Sequence, residues 1–108
     1  MKIYEIAIAM VKSVCALSRK VQQFDPDLAR QMRKACTSVP LNMAEGWHAV
    51  AGNRIVRFQT AMTESRETIA CLDTSVAVGY LSDAEVALDL DRLDHIVAVM
   101  WKLARRRK

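Results

Sequence analysis

IVRFQTAMTESRETIACLDTSV, residues 55–76, is the stretch on which the fold turns. Within it Ile55, Phe58, Met62, Ser65, Ile69, Leu72 and Val76 follow one another at alternating steps of three and four. That spacing keeps them on one face of a helix and makes a heptad seam. The pattern predicts a helix over residues 53–78, stopped by Gly79, a good residue for a left-handed helix end. A helix with one long apolar seam cannot bury it alone, so it needs partners of similar length.

Those partners lie on either side. Downstream, Ser82-Asp83-Ala84-Glu85 reads as a capping box, in which Ser and Glu satisfy each other's backbone donors. It opens a helix over residues 83–105 whose seam is Val86, Leu90, Leu93, Val97, Met100 and Ala104. Asp83, Glu85 and Asp89 near its start, with Lys102 and Arg105 at its end, suit the helix dipole. Upstream, residues 26–50 carry Leu28, Met32, Cys36, Val39, Met43 and Trp47 at helical spacing. Asp25 is the expected N-cap and Pro26 the first helical residue. Pro40 falls inside and removes one backbone donor, which predicts a kink, or two helices end to end. Gly46 and Gly52-Asn53 are read as the points where this helix frays and turns. A first helix over residues 2–24 presents Ile3, Ile6, Met10, Val14, Leu17, Val21 and Phe24, and ends because the residue before Pro26 is pushed out of the α region. Connections of a few residues make successive helices antiparallel neighbours. The expected architecture is all-α, an up-down-up-down antiparallel four-helix bundle in a single domain over residues 1–108.

Composition agrees. Hydrophobic residues are 52% of 108, and Gly and Pro together fill five positions, which excludes a disordered chain and disfavours many short strands. The most apolar stretch, Ile3 to Leu17, contains Glu5 and Lys12, so neither a membrane span nor a signal peptide is expected. Cys15, Cys36 and Cys71 are widely spaced with no C-x-x-C pair, and read as small buried hydrophobes in a reducing compartment, the cytoplasm.

The run Thr37-Ser38-Val39-Pro40-Leu41-Asn42-Met43-Ala44-Glu45-Gly46 resembles the S-x-P-x-N-x-A-E-G signature of the four-helix-bundle proteins encoded in intervening sequences of bacterial large-subunit ribosomal RNA genes. The accessory protein of diversity-generating retroelements is related to the same fold family. Glu67-Thr68, Leu72 and Gly79-Tyr80-Leu81 look like that family's E-T…L…G-Y-L pattern, and Asp25-Pro26 fits its corner between the first two helices. One departure is Thr63-Glu64, where the family usually shows Gly-Ser; the larger, charged pair alters any close helix approach there. The resemblance implies a ring, typically a homopentamer, and for the retroelement protein a basic barrel that binds nucleic acid and a reverse transcriptase. The motif positions Ser38, Pro40, Asn42, Glu45, Gly46 and Glu67 carry no catalytic role with them.

On a helical wheel Ser38, Asn42 and Glu45 share a face roughly 125° from the centre of the apolar stripe, flanking the core. They serve to tie up backbone groups freed by Pro40, to make an interhelical hydrogen bond, or to contact another subunit. An Asn and a Glu without a nucleophile, metal cluster or phosphate loop do not make a reaction, so no enzyme is expected. Glu45-x-x-His48 occurs once, where a di-iron bundle needs two copies, so no metal or other cofactor is expected. Behind the seam of residues 53–78 lie Val56, Thr60, Thr63, Cys71, Thr74 and Val78, interrupted mainly by Glu64 and Glu67. A helix that is apolar or small nearly all round is buried on two sides, which makes these six the candidate oligomer interface.

Charge is distributed unevenly. The net charge is only +4. In an up-down bundle, however, Lys2, Arg54, Arg57, Lys102, Arg105, Arg106, Arg107 and Lys108 gather at one pole, against Glu5 and Glu45. Tyr4, Trp47, His48 and Trp101 lie at the same end. The opposite pole mixes Arg19, Lys20, Arg30, Arg33 and Lys34 with Asp25, Asp27, Asp83, Glu85 and Asp89. A basic cluster with aromatics is the footprint of phosphate-backbone binding, RNA before other nucleic acids, without base reading. The other readings are a tail that caps the last helix, and a ring-forming adaptor that binds a protein partner.

Overall fold

The computed structural model describes residues 2–105, leaving the side chain of Ala51 aside; Arg106, Arg107 and Lys108 of the basic set lie outside the described residues. Four helices fill it: α1 (Lys2–Gln22), α2 (Pro26–His48), α3 (Ala51–Ala77) and α4 (Asp83–Arg105). The caps are those the sequence announces. Asp25 accepts from the backbone N–H of Leu28 at 3.0 Å, with Pro26 next in line. Ser82 and Glu85 close their box reciprocally, Glu85 N–H to Ser82 Oγ at 3.2 Å and Ser82 N–H to Glu85 Oε1 at 2.9 Å. Gly79 takes φ +87°, the left-handed conformation that ends α3.

Side-chain contacts fix the direction of each helix. Cys15 meets Cys36 and Gln22 meets Arg33, so α1 and α2 run antiparallel. Trp47 meets Phe58 and Met32 meets Ser75, so α2 and α3 do too. Ser13 donates to Asp89 and Lys20 pairs with Glu85, which sets α1 antiparallel to α4. Helices packed in the cycle α1–α2–α3–α4–α1 make the expected bundle, with α2 and α3 the most extensively packed pair. At the far pole the rings of Phe24 and Tyr80 stack at 5.2 Å, joining the α1–α2 corner to the α3–α4 turn.

The seam of α3 is in the core: Phe58, Ser65 and Leu72 are sealed, and Ile55, Ile69 and Val76 pack against it. Buried hydroxyls cost little because each bonds a carbonyl of its own helix. Ser18 donates to Cys15 O, Ser65 to Ala61 O, Thr68 to Glu64 O and Ser75 to Cys71 O. Among the described residues no buried side-chain N or O lacks a partner.

Three expectations need correction. Of the two outcomes expected at Pro40, two helices end to end is the one corrected: α2 is a single helix, with Pro40 buried inside it. Gly46 does not mark fraying; it is buried within α2, and α3 begins at Ala51, ahead of the Gly52-Asn53 turn expected between them. Cys71 does not belong to the outer face of α3. It is buried in the core cluster, because it sits roughly 60° round the helix from Val56, toward the packed side.

Candidate nucleic-acid interface

The near pole is built by the start of α1, the α2–α3 corner and the end of α4. At the corner, α2 and α3 come closer than ordinary side chains permit. A Cβ built on Gly46 would lie 2.5 Å from Phe58 Cε1 and 2.6 Å from Cδ1. Phe58 is sealed, and the Trp47 ring meets it edge-on at 5.3 Å. Trp47 is therefore packing, and the pole's available aromatics are Tyr4 and Trp101, which are 37% and 47% exposed. Phe58 is absent from the expected site residues, yet it explains the motif glycine. The signal was present in the sequence: a Gly inside a helical pattern costs stability unless close packing requires it.

Three other motif residues, Ser38, Asn42 and Glu45, lead to Arg57 of α3. Its guanidinium pairs with Glu45 Oε1 at 3.1 Å and donates to Asn42 Oδ1 at 3.4 Å. The Asn42 amide then donates to Ser38 O and Ser38 Oγ, both at 2.9 Å. Ser38, Asn42 and Glu45 thus form one chain of bonds that ties α2 to α3. Asn42 does more than flank the core: it is 9% exposed. The carbonyl that loses its donor to Pro40 is that of Cys36, four residues back, so Asn42 braces the adjacent turn and not the freed group itself. Glu67 stands apart, exposed on α3, where its charge helps to raise Glu64 and Cys71 above their ordinary values, secondary in both to burial.

Of the expected cationic set, Lys2, Arg54, Lys102 and Arg105 are exposed, and no ion pair holds them among the described residues. Arg57 is exposed but neutralised by Glu45. The Arg105 guanidinium lies 4.0 Å over the Trp101 ring, and that of Arg54 6.0 Å from Phe58. At the far half Lys20 pairs with Glu85, Arg30 with Asp27 and Arg92 with Asp89, while Arg19, Arg33 and Lys34 make no ion pair among the described residues. Glu45, His48, Ala49, Asn53, Val56 and Arg57 line an open depression of about 570 Å³ at the corner.

The outer stripe of α3 is partly as expected. Val56 and Val78 are each 55% exposed, Thr63 and Thr74 are exposed and Thr60 is half-buried. Among the described residues no group of three or more His, Cys, Asp or Glu is placed to hold a metal, and no helix is long and apolar enough to cross a membrane.

The backbone superposes on a crystal structure from Bacteroides thetaiotaomicron, described as a protein of unknown function from the S23 ribosomal protein family, with a TM-score of 0.88. The match covers 96% of this chain and 99% of that one at 14% identity, a likeness of fold. No curated protein matches. The family model described as 23S rRNA-intervening sequence protein matches residues 1–102, the whole of the bundle up to the last turn of α4, and the chain belongs to that family.

Proposed function

We propose that this protein is a non-enzymatic homo-oligomer, a pentamer by family resemblance, that binds RNA electrostatically through its basic pole. The observation that carries the reading is the contrast between the two ends. The far half sets its cations among Asp25, Asp27, Asp83, Glu85 and Asp89, three of which hold ion pairs, whereas the near pole offers Lys2, Arg54, Lys102 and Arg105 no ion-pair partner among the described residues and its Glu45 is taken by Arg57. Unpaired exposed cations attract phosphate and release its counterions, and in a ring each subunit repeats the cluster, so the fields add. Exposed Tyr4 and Trp101 offer faces on which unpaired bases stack. The valines at either end of the α3 stripe supply an apolar contact for assembly. A cytoplasmic location fits three cysteines that are all free.

The test is a titration of unrelated single-stranded RNAs at several salt concentrations, using the full chain and one cut after Leu103. Log affinity falls with log salt by about 0.7 per phosphate contact on single strands. The cut weakens all RNAs alike and flattens the slope while helix content is kept. Equal binding by both chains, or no binding at low salt, removes the RNA reading and leaves the protein-binding adaptor. Light scattering that returns a monomer near 12 kDa at micromolar concentration removes the ring.

A further inference from the structure

Cys15 on α1 and Cys36 on α2 face each other with their sulfurs 3.8 Å apart. That is van der Waals contact, and a disulfide asks the sulfurs to close to about 2.05 Å. The two helices are already held in register around them: Arg33 donates to Gln22 at 3.2 Å, and Asp25 caps the corner that joins them. The thiols differ in access. Cys15 is half-buried, whereas Cys36 is sealed. Among the described residues no other two thiols are in contact, and Cys71 sits on α3.

We propose that Cys15 and Cys36 are a thiol–disulfide modification site, in which a small disulfide such as oxidised glutathione enters at Cys15 and Cys36 completes a bridge that fastens α1 to α2. Two exchanges balance the step. The Cys15 thiolate attacks one sulfur of oxidised glutathione, the small disulfide bond breaks, and one glutathione leaves as its thiolate. Cys36 then attacks the Cys15 sulfur of the mixed disulfide as a thiolate and expels the second glutathione. The protons of the two protein thiols end on the two released glutathiones. The protein sulfurs lose two electrons and the small disulfide gains them.

Access sets the order, because a tripeptide reaches Cys15 and not Cys36. Acidity agrees with it: burial, and then the neighbouring Cys15, push the Cys36 thiol up to about 12, so Cys36 is a poor first nucleophile. Closure is consequently the slow exchange, helped by a partner held in contact. In a reducing compartment the bridge forms only under oxidative load.

The experiment uses the full chain with oxidised glutathione at about pH 8, where an ordinary thiol is partly ionised, followed by acid quench, intact mass, thiol titration and peptide mapping. The expected product has lost two hydrogens, keeps one free thiol at Cys71 and yields a Cys15–Cys36 peptide. Its Tm rises by on the order of 10 °C, because the bridge closes a loop in the unfolded chain. Dithiothreitol reverses both changes. Cys71→Ala bridges as the parent does, and Cys36→Ala, folded by circular dichroism, stops at a glutathione adduct on Cys15. Three intact thiols in the parent, a lasting adduct on its Cys15, or a cross-link through Cys71 or between chains overturns the proposal.

Discussion

Gly46→Ala tests the close approach of α2 and α3 directly. In most helices the substitution stabilises, since Ala gains about 1 kcal/mol over Gly in a helix interior. Here the new methyl would sit 2.5 Å from Phe58 Cε1 and 2.6 Å from Cδ1, well inside van der Waals contact. Phe58 has nowhere simple to go, being sealed by the core and met edge-on by Trp47. Overpacking of this kind costs typically about 1–3 kcal/mol, and a stiff ring between two helices places it toward the upper end. The expected net effect is a loss of about 1–2 kcal/mol after the helix gain is subtracted. Urea unfolding followed by circular dichroism measures it, at one protein concentration because any assembly adds to apparent stability. Gly52→Ala is the control. It lies in the first turn of α3 with nothing within 4 Å of its Cβ position, so it is neutral or stabilising. The decisive arm is Gly46→Ala in a Phe58→Leu background. Removing the ring removes the clash, so the same substitution changes sign and stabilises. A Gly46→Ala chain that is more stable than the parent, or a cost unchanged by Phe58→Leu, refutes the packing argument.

Three further substitutions probe the seam between α1 and α4 and the charges of α3. Asp89→Ala leaves Ser13 and Arg92 without the carboxylate they share, and should cost about 2 kcal/mol in urea unfolding, the scale for leaving buried polar partners unsatisfied. Lys20 and the Ser82 backbone N–H hold Glu85 below its ordinary value of 4.5, so its stabilisation is full above that pH and is lost as pH falls through the depressed folded value. Glu85→Gln therefore loses stability at neutral pH, and the difference from the parent shrinks in acid. Glu64 has the opposite sign, since burial and then Glu67 raise it: its folded form favours the protonated state, and that advantage is lost as pH rises through the raised value. Glu64→Gln should stabilise at neutral pH and lose the gain in acid, which thermal melts across a pH series would show.

How far the sequence carries depends on range. Caps are local, and Asp25-Pro26 and Ser82 with Glu85 do what their spacing says because donor and acceptor are three residues apart. The α3 seam is legible for the same reason, since one period decides which side is buried. The misreadings concern relations between helices. Gly46 is read as fraying because a glycine in isolation is a breaker; only the Phe58 ring on α3 makes it the residue that fits. Pro40 is read as a kink or as a junction of two helices; the junction does not form, because a proline removes only one bond, and the packed stripe on either side of it, with Asn42 bracing Ser38, keeps α2 whole. Cys71 lies at the margin of the stripe, and its burial is set by how α2 leans on α3, which a wheel drawn for one helix does not contain.

The electrostatic character of the near pole follows from what cancels there. Two helix N-termini and two C-termini meet at each end of an up-down bundle, so their dipoles largely offset one another and side chains set the sign of the field. At the α2–α3 corner Arg57 is matched by Glu45, and both serve the bond chain that holds those helices together. Among the described residues the corner's unmatched cation is Arg54. The remaining described charge comes from Lys2 on α1 and from Lys102 and Arg105 on α4, helices that are themselves neighbours and that also carry exposed Tyr4, Ile8 and Trp101. Stability and charge are thus divided between two sides of one pole. The motif residues build the α2–α3 side. The α1–α4 side is left with cations and aromatic faces that the bundle does not need for its own packing, and on the RNA reading it is this side that meets phosphate.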